Sequence, residues 1–267
     1  VFLFSIAFFA HAQISGVGEV VSFDVTPNNP RANQIVNVNI ESFSVDLSRA
    51  SSITWLLNGE IIAQDAGLKS VQFRTGKLGS RSEVDVVIRS VEKGTIRESI
   101  TISPTEVNLL WGATSYTPPF YAGKALPASD ADITVVAMAE FVTSNGNRLS
   151  PKDLIFTWQK DGRVLGGLSG RGKDTVNITG PKLSRTSRIE VGVSSSGGSL
   201  QGSGATFISA VSPEIIFYEN DTIFGTRYEK AIKSSTALSR EEIKITAYPY
   251  FFSSNSRVVA SSDYEWG

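Results

Sequence analysis

The chain has 267 residues, with 25 Lys+Arg against 26 Asp+Glu and a net charge of −1. That balance supplies no long-range field for nucleic acid or an anionic membrane. The absence of cysteine excludes disulfides, thiolate metal sites, Fe–S clusters and cysteine nucleophiles. The length suggests about two domains and a further piece, and a composition rich in Ser, Thr, Gly, Val and Ile favours strand over helix.

The first residues, Val1 to Ala10, read VFLFSIAFFA and carry no charge. Ala10-His11-Ala12 follows and matches the small-x-small cleavage pattern. The run is too short to cross a bilayer as a helix, which needs about 20 apolar residues. It predicts a signal-peptide remnant over residues 1–12, cut after Ala12, in a sequence that is itself a fragment. The competing reading is a buried first strand. The single histidine, His11, lies in the removed part. A mature chain without His or Cys excludes Ser-His-Asp triads, Cys-His dyads and His-ligated zinc. No catalytic, cofactor-binding or metal residue is assigned.

Further along, Val36–Ile40 alternates apolar and polar residues, which predicts a strand. Ile53-Thr54-Trp55-Leu56-Leu57 follows and runs into Asn58-Gly59, a strong hairpin signal. Val84–Ile88 and Ile96–Ile102 alternate in the same way. Ile133–Val135 is the next strand, then Phe156-Thr157-Trp158-Gln159-Lys160 before Asp161-Gly162, then Ile189–Val193. Tyr264-Glu265-Trp266-Gly267 closes the sequence. The tryptophans at 55, 158 and 266 are spaced by 103 and 108 residues. That repeat length suits an immunoglobulin-like sandwich of about 100 residues with a Trp packed between its sheets. Ile133, Ala137, Phe141, Ser144 and Asn145 recur at an offset of 110 as Ile243, Ala247, Phe251, Ser254 and Asn255. Ser103-Pro104-Thr105-Glu106 opens one module and Ser212-Pro213-Glu214 the next, and Tyr121 recurs as Tyr228. Pro27, Pro30, Pro104, Pro118, Pro119, Pro127, Pro151, Pro181 and Pro213 fall between strands. Only Leu238–Glu242 reads as a helical turn.

These residues predict an all-β chain of tandem immunoglobulin-like sandwiches, two complete and a third truncated. The expected domains are residues 13–103, 104–211 and 212–267. The pattern Thr-Trp-x-x-Asn/Asp-Gly, then a glycine-bearing turn and a Val-x-Val strand, resembles bacterial immunoglobulin-like and PKD-like extracellular domains. The second-module string around Trp111, Tyr116, Tyr121 and Lys124-Ala125-Leu126-Pro127 is similar to exported proteins of candidate-phylum bacteria. The resemblance implies tandem modules behind a signal peptide, often with a C-terminal membrane anchor, and assigns no active site.

Each motif with a chemical reading also has a plainer one. Gly167–Asp174 nearly spells a phosphate loop, but Asp174 replaces the Ser/Thr that would hold Mg²⁺, and Thr175–Ile178 continues as a strand rather than a helix. It reads as an inter-strand loop, with Asp65–Ser70 its counterpart in the first module. Asp130 with Asp132, and Glu219 with Asp221, suggest calcium carboxylates, though calcium needs six to eight oxygens; solvated turns are the default. Tyr116, Pro118, Pro119, Phe120 and Tyr121 form either a recognition patch or packing between modules, the latter favoured. Asn177 and Asn220 head glycosylation sequons. Glu241-Glu242 would need a cleft to act as glycosidase carboxylates.

The expected function is an exported, non-catalytic, cell-surface structural, adhesive or assembly protein. It requires no cofactor. Its partner is an unknown protein or glycan rather than nucleic acid or nucleotide, and any membrane anchor lies outside the fragment. The alternatives are an accessory region of a larger secreted glycosidase or peptidase, or a carbohydrate-binding module.

Overall fold

The computed structural model describes residues 21–43, 45–118, 120–233 and 242–253. The expected signal peptide, His11, Trp266 and all but Glu242 of the helical turn expected over Leu238–Glu242 lie outside them. Period-2 alternation becomes strands with one buried face, as steric pleating requires. The first seven are β1 (Ser22–Thr26), β2 (Ile35–Glu41), β3 (Ser52–Leu57), β4 (Glu60–Asp65), β5 (Ser70–Arg74), β6 (Ser82–Ser90) and β7 (Gly94–Ile102). They form two sheets, β1-β2-β5 and β4-β3-β6-β7. Val38, Ile40, Ile53, Trp55, Val84, Val86 and Ile88 fill the core between them.

The next strands are β8 (Glu106–Ala113), β9 (Ser115–Tyr116), β10 (Asp132–Glu140), β11 (Leu154–Lys160), β12 (Arg163–Val164), β13 (Gly170–Arg171), β14 (Thr175–Thr179), β15 (Thr186–Ser195) and β16 (Gln201–Ser209). Their sheets are β14-β10-β8 and β12-β11-β15-β16, with β13 also on β11. Setting aside β9 and β13, this repeats the first sandwich strand for strand, with β8, β10 and β14 standing for β1, β2 and β5. The alternating positions Ile133, Val135, Phe156, Trp158, Ile189 and Val191 are buried in turn. Every strand expected from periodicity is present, and most extend further. The segment expected over Ile133–Val135 runs through to Glu140.

The remaining strands are β17 (Glu214–Asp221), β18 (Gly225–Ile232), β19 (Ile245–Tyr250) and β20 (Phe252–Ser253). β18-β17-β19 form one sheet, and β20 pairs with β9. β19 contains Pro249, opposite Ile215. Proline lacks a ladder donor, and its strand lies at the sheet edge, where that is tolerated.

Among the described residues, three short 3-10 turns were not evident in the sequence: Leu47–Arg49, Pro151–Asp153 and Gly166–Leu168. The first two precede the Trp strands at matching places. Asp46 caps one by accepting from the Ser48 N–H, and Ser150 caps the other by accepting from the Lys152 N–H.

The chain divides into two compact units. One takes in the residues up to Val107 together with Ala139–Ile155 and Gly192–Ser203. The other takes in Asn108–Met138, Phe156–Val191 and the residues from Gly204 onward. The division runs through the second sandwich and not through the linkers.

Candidate functional site

The tryptophan motif is sealed from ligand. Trp55 and Trp158 are both 0% exposed. The Trp55 indole N–H donates to the Leu68 carbonyl at 3.0 Å, and that of Trp158 to the Lys173 carbonyl at 2.8 Å. Each ring therefore fills the core while its polar edge fastens the glycine-bearing loop ahead of the next strand. The hairpins match too. Asn58 and Asp161 adopt positive φ of 52° and 51°, followed by Gly59 and Gly162 at 84° and 77°. Two successive left-handed residues make the turn whose twist matches the flanking strands. The Asn58 side chain accepts from the Glu83 N–H, and that of Asp161 from the Arg188 N–H.

Gly167–Asp174 is a loop of this kind. It leads into strand β14 rather than a helix N-terminus, and the Lys173 ammonium donates to the Gly167 carbonyl at 2.9 Å. One member of each acidic pair, Asp130 and Asp221, sits at a turn, while Asp132 opens β10 and Glu219 lies within β17. Asp221 accepts from the N–H groups of Ile223 and Phe224, closing the β17–β18 hairpin. The Asp132 carbonyl accepts from the N–H and hydroxyl of Thr114, and Asp130 takes the Ser129 hydroxyl. Among the described residues, no group of three or more His, Asp or Glu is placed to hold a metal. Asn177 lies exposed on β14 and accepts from the Thr134 hydroxyl, whereas the Asn220 amide donates to Thr246. Of Glu241-Glu242, only Glu242 is described, and it is exposed.

The aromatic–proline segment is engaged by strands β17 to β20. The Phe120 ring lies 3.8 Å from that of Tyr228 and edge-on to Tyr218 and Tyr248. Tyr121 meets Tyr250 and Phe251 edge-on at 5.8 and 5.7 Å. Tyr121 and Tyr228, expected to be equivalent, stand in different settings, Tyr228 on β18 and Tyr121 outside any strand, and enter one cluster by different contacts. Two hydroxyl pairs close it: Tyr218 with Tyr250 at 3.0 Å, and Tyr228 with Tyr248 at 2.7 Å. Burial and the Tyr218 hydroxyl hold the Tyr250 phenol above its ordinary value, while the Tyr248 hydrogen bond raises Tyr228. Backbone pairing of Phe252 with Tyr116, and the Phe251 N–H donating to the Tyr116 carbonyl, tie the same place. Phe251 sits at φ 57°, a rare conformation for a bulky residue. Nearby, the Lys124 ammonium lies 3.0 Å above the Trp111 ring centre, a cation–π contact. Desolvation there lowers the lysine's affinity for its proton.

A comparable joint within the first compact unit lies at Ser103–Glu106, the segment expected to open the second module. Thr105, between β7 and β8, is 2% exposed. Its N–H donates to the Pro30 carbonyl at 3.2 Å and its hydroxyl to the Gln201 carbonyl at 2.6 Å. Arg31 reaches the Val107 carbonyl and Glu106. Two glycines permit the close approach. A Cβ at Gly202 would lie 2.6 Å from the Thr105 hydroxyl, and one at Gly79 would lie 2.8 Å from the Val142 side chain. The remaining accessible features are edges and loop ends. Ile223 and Phe224 stand 82% and 80% exposed at a hairpin tip. A shallow groove of about 380 Å³ runs beside Asn39–Phe43, Val45–Leu47 and Lys69.

No family model and no curated relative matches the chain. Among solved structures, the chain is similar to fibronectin(III)-like modules of Clostridium thermocellum CbhA, at 14% identity over 71% of this chain and 94% of that one, with a TM-score of 0.33. It is also similar to three N-terminal domains of the outer capsid protein Hoc of bacteriophage RB49, at 13% identity, 76% and 61% coverage and TM-score 0.29. A third likeness is to Bacteroides uniformis beta-glucuronidase 3, at 11% identity over 71% of this chain and 24% of that one, with TM-score 0.26. Overlays this partial carry no argument about function, and the sandwich assignment rests on the strand order itself.

Proposed function

We propose that this chain is a non-catalytic spacer of tandem sandwiches, exported to the cell surface, with a protein or glycan partner held at its strand edges or loop ends. In this reading the modules are residues 13–103, 104–211 and 212–267, behind a leader that ends at Ala12. The observation that carries it is the linker at Thr105, hydrogen-bonded to the sandwich before it and the sandwich after it. A linker that is tied down transmits position, which a spacer requires and a flexible tether does not supply. The buried tryptophans and the loops fastened to them support a scaffold role. Edge strands and loops held by a rigid core are the usual places for non-catalytic recognition.

Limited proteolysis of the full chain tests the reading. Cleavage should spare residues 102–106 and begin at exposed loop tips. Early, clean scission at those linker residues, releasing stable halves, would overturn it.

A further inference from the structure

Sheet edges expose unpaired backbone groups, and natural proteins blunt them with short strands, proline or lysine. The second sandwich does this at β12. That strand has two residues, Arg163 and Val164; the chain then turns into the 3-10 segment Gly166–Leu168, and only the two residues of β13, Gly170–Arg171, return to β11. The matching strand of the first sandwich, β4, is not blunted. It spans six residues, Glu60–Asp65, at the end of the order β4-β3-β6-β7. It contains no Pro, Lys or Arg. Ile61 is 63% exposed and Ile62 39%. Leu56 faces Ile61 while Trp55 faces Ala63, so Ile62 is the extra residue of a bulge and adds its side chain to the open edge.

The surrounding charge has one sign at the turn end. Glu60 opposes Leu57, and Ile61 opposes Leu56, whose other neighbour is Asp85. Glu83 lies beside the turn, bonded to Asn58. Asp65 closes the far end of the strand. These carboxylates select among occupants. A second copy pairing antiparallel through β4 would set Glu60 against Asp65 of the other chain, and like charges directly opposite destabilise a ladder.

We propose that β4 is a strand-addition site for a partner's extended segment, apolar at its centre and bearing Lys or Arg at its flanks. Main-chain hydrogen bonds to β4 would supply affinity, Ile61 and Ile62 an apolar seat, and the flanking carboxylates selectivity. The proposal deepens the surface role given above by naming the chemistry of its partner. It stands or falls separately from the tied linker, which proteolysis reads independently.

The test uses the full chain and two labelled Val-Thr peptides, one flanked by lysines and the other by glutamates. Fluorescence anisotropy should show the lysine peptide binding about tenfold tighter, a difference of about 1.4 kcal/mol. Amide exchange should slow across Glu60–Asp65 when it binds. The double variant Glu60→Lys with Asp65→Lys lies on the surface and should reverse the preference. Three results would overturn the proposal: neither peptide binding, both binding equally in wild type and variant, or sedimentation showing self-association that protects β4.

Discussion

The first and second sandwiches share strand order, the Trp hairpin and the capped 3-10 turn before it, yet they end in different edges. In the first, β4 continues past the hairpin as six mostly exposed residues with apolar Ile61 and Ile62. In the second, Leu165 turns back so that its N–H donates to the Trp158 carbonyl, and the edge is broken after Val164 before the two residues of β13 resume it on β11. The shared part is what makes either sandwich fold, since it combines a buried indole, a two-residue turn and a fastened loop. The part that differs lies on the surface, where the fold is indifferent and a partner is not. Recurrence within this chain therefore separates structural residues from candidate recognition residues.

Breaking the shared part should have the largest effect, and an equal one in both copies. Trp55→Ala and Trp158→Ala should each lose about 3–5 kcal/mol by chemical denaturation, from the cavity and the unpaired loop carbonyl. A small loss in one copy would mean that its ring is not a core element. Next comes Gly79→Ala, which places a Cβ at φ +81° and 2.8 Å from Val142. Strain and overpacking together should destabilise by about 3 kcal/mol, while Gly59→Ala, which meets nothing within 4 Å, should show the strain alone.

A smaller effect is expected in the tyrosine cluster. Tyr250→Phe leaves the buried Tyr218 hydroxyl without its partner and should lose about 1–2 kcal/mol. It also removes a pH dependence. The Tyr250 phenol keeps its proton longer in the folded chain than its ordinary value of 10.0 allows. Its stabilising contribution is therefore complete below pH 10 and lost as pH rises above it. Alkaline unfolding should be shallower above pH 10 in Tyr250→Phe than in wild type, and equal slopes would assign the dependence elsewhere. The smallest change is Asn58→Gly or Asp161→Gly, each keeping the left-handed turn and expected to lose about 1 kcal/mol with the side-chain hydrogen bond.

The parts legible in the sequence were those set by local chemistry. Period-2 alternation, Asn58-Gly59 and Asp161-Gly162 act within a few residues, so their strands and turns stand where expected. The Trp55 and Trp158 burial followed from recurrence on apolar strands. Thr105 was visible only as part of a recurring module opening, and its contacts were not, because its two acceptors, Pro30 and Gln201, are distant in the chain. Gly79 and Gly202 were equally silent, since nothing local tells a close-approach glycine from a loop glycine. Phe120 and Tyr121 were visible as a cluster, and the favoured packing role fits their contacts. The tyrosines that receive them, Tyr218 and Tyr248, come together only across paired strands.

The tied linker is the feature on which a spacer role depends most, and a distance measurement reads it directly. The chain has no cysteine, so single Cys substitutions at Lys77 and Asn145, both exposed and both in the first compact unit, take spin labels cleanly. Pulsed electron paramagnetic resonance should give one narrow distance distribution that broadens in Gly79→Ala. A broad or multiply peaked distribution in the otherwise wild-type chain would contradict the account, because it would make the joint at Thr105 a flexible tether.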